Sequence, residues 1–235
     1  MTSTKPSHFI LALMLLLLLA PAAATVKPFE AKYKAFRGGK NIGEAHYRLT
    51  ENGNSQYKLF YKSDLSLFVF SDKREETSIF TLDANDVISP VTYRYRRSGF
   101  GKSKELDLRF DDDKRQISFA KGDPITWNNE WDNQLYRLDL QLKLKTGMKK
   151  AEYDLINYRG QKKTYAFEVI AEEMLTLPYG QISAIKVKTI RNNKKRETYS
   201  WFAPDLDYVL VRLRQFKDGK EQGDIQLKSF ELTAK

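Results

Sequence analysis

Apolar and polar residues alternate along most of this chain. Phe29, Ala31, Tyr33 and Ala35 alternate with Glu30, Lys32 and Lys34, and after Arg37-Gly38-Gly39-Lys40 a second run covers residues 42–50. A period of two puts one set of side chains on one face of a strand, so the pattern predicts a strand, a glycine turn and a strand. Asn52-Gly53 in the next break suits a turn with positive φ at both central positions, and Tyr57, Leu59 and Tyr61 alternate beyond it.

The habit persists. Residues 78–82, Val91-Tyr93-Tyr95, Leu106-Leu108-Phe110 and Ile117-Phe119 are short alternating runs, parted by turns at 83–86, 98–102 and Asp111-Asp112-Asp113-Lys114. Tyr165-Phe167-Val169, 182–190, 198–202, Val209-Val211-Leu213 and Ile225-Leu227 follow, with Asn192-Asn193 and Asp218-Gly219 as turn signals. Strands at such short intervals predict a mainly β fold, a curved antiparallel sheet or incomplete β-barrel, because parallel sheets need long crossovers. Residues 65–70 are too short to settle a helical turn. Residues 132–146 admit two readings. Tyr136, Leu138, Leu140, Leu142 and Leu144 alternate like a strand, yet Asp132 can cap a helix that Gly147 would end.

Four stretches in order carry a resemblance. They are Phe29-x-Ala31-x-Tyr33 with Ile42-Gly43, then Ser89-Pro90-x-x-Tyr93-x-Tyr95-x-Arg97, then Leu177-Pro178-Tyr179-Gly180, then Trp201-Phe202-Ala203-Pro204-Asp205 with Tyr208. Together they resemble the domain of unknown function 3108 family of exported bacterial proteins, whose biochemical role is not established. The resemblance implies an exported, mostly-β fold with a short central helix near Asp132, and helix is the assignment adopted for 132–146. It supplies no catalytic residue.

The amino-terminal segment changes the arithmetic of the 235-residue chain. Lys5 precedes an unbroken apolar run at 9–20, and Ala22-Ala23-Ala24 offers a small-residue cleavage site. This predicts a signal peptide over 1–24 and a single β-rich periplasmic domain over 25–235. The apolar run is too short for a membrane span, so no transmembrane helix is expected after cleavage. Cleavage removes one charge, Lys5, so the net charge falls from +10 to +9. There is no cysteine, which excludes disulfides, thiolate metal sites, a cysteine nucleophile and a lipidated cysteine. An exported chain without disulfides suits a bacterial periplasm.

Candidate chemistry narrows the picture further. His46 is the one histidine beyond the leader, with no nucleophile motif beside it. Asp111-Asp112-Asp113 falls at a hairpin turn and does not match a calcium loop, so no metal and no cofactor are expected. Glu75-Glu76, Glu172-Glu173 and Asp205 with Asp207 could supply an acid and a base, but spacing in sequence does not set their distance across a cleft. Lys149-Lys150, Lys162-Lys163 and Lys194-Lys195-Arg196 sit at turns rather than on one face with interleaved aromatics, so nucleic acid is not an expected partner. Aromatics are abundant, at 14 Phe, 13 Tyr and 3 Trp. Trp127, Trp131, Trp201 and Tyr208 lie beside turns, where a barrel mouth would be, and are the expected ligand-binding residues. The favoured reading is a non-catalytic binding or envelope-maintenance protein for an amphiphilic, lipid-like or anionic envelope ligand. The alternatives are a carboxylate-dependent enzyme acting on envelope polysaccharide, and an outer-membrane barrel, against which the Leu232-Thr233-Ala234-Lys235 ending weighs.

Overall fold

The structure, a computed structural model, describes residues 26–67, 70–83, 87–99, 101–191 and 195–233. The expected leader, the Asn192-Asn193 turn signal and Lys194 lie outside the described residues. The strands are β1 (Phe29–Arg37), β2 (Lys40–Glu51), β3 (Gln56–Leu67), β4 (Phe70–Leu82), β5 (Ile88–Gly99), β6 (Lys104–Asp111), β7 (Gln116–Phe119) and β8 (Ile125–Thr126). Helix α1 (Leu135–Lys145) follows, then β9 (Lys150–Ile156), β10 (Lys162–Leu177), β11 (Gly180–Ile190), β12 (Arg196–Ala203), β13 (Val209–Lys217) and β14 (Lys220–Leu232).

All fourteen belong to one antiparallel sheet, in the order β8 through β1, then β14 through β9. Every strand therefore pairs with its neighbours in sequence except β8 with β9, and β1 also pairs with β14. The result is a ring of strands left open at one seam, between β8 and β9. Register shifts at Lys32/Tyr33, Ile79/Phe80, Val169/Ala171 and Trp201/Phe202 mark bulges, which bend strands and help the sheet curl. The expected mainly β architecture and incomplete barrel are present. Strands run longer than the pattern predicts where β4 extends back to Phe70 and β10 on to Leu177, and the pattern does not predict β8 and β9. Residues 65–67 and 70 are strand rather than a helical turn.

Residues 135–145 are helix, and the strand-like alternation has a physical reason. On a helix, Leu135, Leu138 and Leu142 form one apolar stripe and Tyr136, Leu140 and Leu144 another, separated by the polar stripes Asp139/Lys143 and Arg137/Gln141/Lys145. The first apolar stripe packs into a core with Phe29, Leu49, Leu59, Phe80 and Leu227. The second packs against Tyr153, Leu155, Phe167, Val187 and Phe202. A helix buried between two walls needs two apolar faces, and at this length two faces imitate a period of two. Asp132 starts it by accepting the N–H groups of Gln134 (2.7 Å) and Leu135 (2.8 Å). Gly147, at φ 80°, ends it by donating its N–H to the Leu144 carbonyl.

The seam is spanned by 127–131. Trp131 donates its N–H to the Asp154 carbonyl (2.9 Å) and accepts that of Ile156 (2.8 Å). Lys162 pairs with the buried Glu130 and donates to the Thr126 carbonyl.

Candidate functional site

The inward faces of β1 to β5 form bands across the sheet that change character along its length. One band runs Phe29, Leu49, Leu59, Ser78, Tyr93; the next Ala31, Tyr47, Tyr61, Glu76, Tyr95; the third Tyr33, Ala45, Ser63, Arg74, Arg97. Packing thus gives way to tyrosines and then to charge. At the polar end the interior is not filled by side chains. A cavity of about 920 Å³ opens there, floored by Tyr136, Arg137 and Leu140 of α1.

The cavity wall is two-sided. Ala35 and Phe36 of β1, Ile42 of β2, Leu65 of β3, Leu213 and Phe216 of β13 and Ile225 of β14 gather apolar surface opposite the seam, interrupted by Arg37, Gln215, Gln222 and Asp224. Arg74, Arg97, Arg159, Lys163, Arg191 and Arg196 lie on the strands and loops flanking the seam. With Arg37 and Arg137, eight cationic side chains line the space against four carboxylates: Asp72, Glu76, Glu197 and Asp224. Two glycines let the strands close up at this rim. A Cβ on Gly43 would lie 2.0 Å from the Asp64 carbonyl oxygen, and one on Gly99 2.2 Å from that of Ser71.

Each of those carboxylates is already engaged. Arg74 and Arg97 are paired directly opposite one another, an arrangement of like charges that costs stability unless neutralised. Asp72 neutralises it: Arg74 Nη2 donates at 2.7 Å and Arg97 Nε at 2.9 Å to the same carboxylate. Burial works against that charge, but the two guanidinium groups outweigh it and hold Asp72 below the usual carboxylate range. Glu76 accepts the Tyr93 hydroxyl (2.6 Å) and the Asn133 amide (2.8 Å). Asp224 is held by Arg212, and Glu197 accepts the Tyr199 hydroxyl. The cations are less fully used. Arg137 donates to Gln134 Oε1 and lies over the Tyr136 ring, with no carboxylate within 4.0 Å among the described residues.

Asp132 lies behind the tyrosine band, fully enclosed, and does not line the cavity. Burial pushes its carboxyl up to about 6, against the lowering effect of the two helix N–H groups it accepts. Its role as a cap accounts for its place. Asp111 accepts the Lys114 N–H in the β6–β7 turn, as expected of a solvated hairpin. Glu75 pairs with Lys62 on the surface, and Asp207 with Lys145. Among the described residues no cluster of three or more His, Asp or Glu side chains is arranged to hold a metal ion. None of their helices is long and apolar enough to cross a membrane.

The four residues expected to bind ligand fall elsewhere. Trp127 and Trp131 come together at the seam. Trp127 Nε1 donates to the Glu130 carbonyl (2.9 Å) and its ring meets Phe110, while Trp131 packs edge-on against Tyr153. Trp201 donates to Glu173 Oε2 (2.9 Å) under Lys186 and Arg212, and Tyr208 packs against the second core cluster. None of the four is among the residues lining the cavity. Trp127 and Trp201 use their polar tips to fasten chain segments, and Trp131 and Tyr208 are held by packing. The inward polar row Asp72, Arg74, Glu76 was the available signal. Its lack of apolar alternation is what hid the first half of β4.

Comparison with known proteins places this architecture. The profile of the family described as protein of unknown function DUF3108 matches residues 28–226. No curated protein matches the chain. Among solved structures, the chain is similar to a β-barrel-like protein of the domain of unknown function DUF1849 from Brucella abortus, with a TM-score of 0.59 at 9% identity, over 89% of this chain and 99% of that one. At such low identity the likeness concerns the fold. A candidate exported protein with a YmcC-like fold from Bacteroides fragilis matches at a TM-score of 0.35 and 12% identity, covering 88% of this chain and 96% of that one.

Proposed function

The chain belongs to the DUF3108 family, described only as proteins of unknown function, and from the cavity's geometry we propose a non-catalytic binding protein of the bacterial cell envelope. It is exported with cleavage after Ala24, works in the periplasm as one domain over 25–235, and holds an amphiphile in the open half of the curled sheet. The observation that carries this reading is the uneven wall of the 920 Å³ cavity, richest in apolar side chains opposite the seam and in cations towards it. That volume falls in the range of small-molecule sites, and a wall divided in this way matches a ligand with an acyl body and a polar head. The positive n-region, apolar run and small-residue site of 1–24 support export. In this reading Trp127, Trp131, Trp201 and Tyr208 brace the wall rather than touch the ligand.

Native mass spectrometry on protein purified from its own periplasm tests the proposal. The expected result is a chain beginning at Thr25 that carries a co-purifying lipid, with affinity for added single-chain amphiphiles rising roughly fourfold per methylene, since each buried methylene contributes about 0.8 kcal/mol. Absence of saturable binding at every chain length would overturn it.

A further inference from the structure

The cavity floor holds a cation whose charge the protein leaves uncompensated by an ion pair. Arg137 projects from the first turn of α1 between tyrosines of the middle band, and its one hydrogen bond given by the structure is to Gln134 of its own helix. A charge taken out of water is costly unless it is paired, and the face of one tyrosine ring recovers only part of that cost. Glu76 acts on Arg137 through space without forming an ion pair, its Oε2 accepting from Tyr93 and Asn133, and Asp132 is turned to the helix N–H groups.

A second, independent observation lies beside it. Tyr47 is 6% exposed, lines the cavity, and its hydroxyl has no hydrogen-bond partner among the described residues. Arg137 lines the same cavity and is the strongest charge acting on that hydroxyl. Burial holds Tyr47 in its neutral, donating form. A buried O–H donor without an acceptor, beside a half-buried guanidinium that has one amide acceptor and no carboxylate partner, is complementary to a group that brings negative charge and several acceptor oxygens.

We infer that Arg137 and Tyr47 form an anion subsite at the floor of the cavity, where the carboxylate or phosphate head of the ligand is held. The inference rests on the reading of the cavity as an amphiphile site and adds to it a sign of charge and an orientation. The head goes in first, and the acyl body lies along the apolar wall towards the rim. Arg97, Arg159 and Arg191 around the opening then attract the anion as it arrives rather than hold it.

The test compares dodecanoate and dodecyl phosphate with dodecanol, all below micelle formation, and inorganic phosphate, by calorimetric titration of the full mature chain. The two anions should bind at least tenfold more tightly than the alcohol. In Arg137→Gln that preference should fall to within about threefold while the alcohol is unaffected, and Tyr47→Phe should lose part of it. The wild-type comparison does not depend on a variant folding, and Tyr47→Phe removes only a hydroxyl. Equal binding of dodecanoate and dodecanol, or an anion preference unchanged in Arg137→Gln, would overturn the subsite and leave the amphiphile reading standing. Arg137-dependent binding of inorganic phosphate without binding of any dodecyl compound would support the subsite and overturn the amphiphile reading. Absence of binding by all four probes would overturn both.

Discussion

The packed and open halves of this sheet are built from the same strands and differ in what their inward positions carry. Along β4 the inward row reads Leu82, Phe80, Ser78, Glu76, Arg74, Asp72, so one strand leaves a dry core and enters a charged cavity within its length. In the packed half, α1 and its leucines fill the space. In the open half the same helix presents Arg137 and stops short of filling it. Antiparallel pairing tolerates this change because backbone hydrogen bonds, which do not depend on side-chain type, hold the strands together in both halves. Apolar packing is thus concentrated at one end and open, charge-lined space at the other.

Truncation should expose the contrast most strongly. Leu138 is 1% exposed and enclosed by both the helix and the sheet, so Leu138→Ala should cost about 2–5 kcal/mol in urea unfolding. Leu213 faces the cavity and is only partly buried, so Leu213→Ala should cost about 1 kcal/mol or less. Similar losses at both sites would show that the open half is packed as firmly as the closed one.

The same contrast explains what was legible in the sequence. Alternation announced most strands because most have one apolar face, as in β1 with Phe29, Ala31, Tyr33 and Ala35. It faded over 70–77, where the inward residues are Asp72, Arg74 and Glu76, so the stretch that forms the cavity was the stretch the pattern could not report. Helix α1 was ambiguous because its two buried faces mimic a strand; Asp132 and Gly147 opened the helical reading, and the family resemblance decided it. The site itself depends on β2, β4 and α1 meeting across the interior. Tyr47 and Arg137 are 90 positions apart, and no local spacing connects them.

Acid should act on the two halves with opposite signs. Asp132, in the enclosed region, has its carboxyl raised to about 6 by burial. A raised folded-state value means that stability present below the unfolded value, near 4, is lost as pH rises through 6. The stability of the wild type relative to Asp132→Asn should therefore decline by about 3 kcal/mol between pH 4 and 7, read from denaturant midpoints at each pH. Asp72, at the cavity, is lowered despite burial because two arginines share it, so its contribution is present above the ordinary carboxylate range and disappears as pH falls through its folded value. A difference between wild type and Asp132→Asn that does not vary with pH would mean that the cap is solvated.

Asp72→Asn should change stability as little as Leu213→Ala, and it separates the two properties most cleanly. The Asp72 side chain is 24% exposed and its arginine partners 27% and 42%, so water already screens the cluster, and losing the carboxylate should cost only about 1 kcal/mol. Its effect on binding should run the other way. With the carboxylate gone, Arg74 and Arg97 remain opposite each other with their charge uncompensated, and the positive potential at the basic wall increases. One unit of charge removed at roughly 10 Å, in an effective dielectric between protein and water, corresponds to a three- to tenfold gain in affinity for dodecyl phosphate. Dodecanol should be indifferent to the change. A variant that binds the anion more weakly would show that Asp72 orders the two arginines into a shape the ligand needs, and that the wall recognises its ligand by geometry as well as by charge.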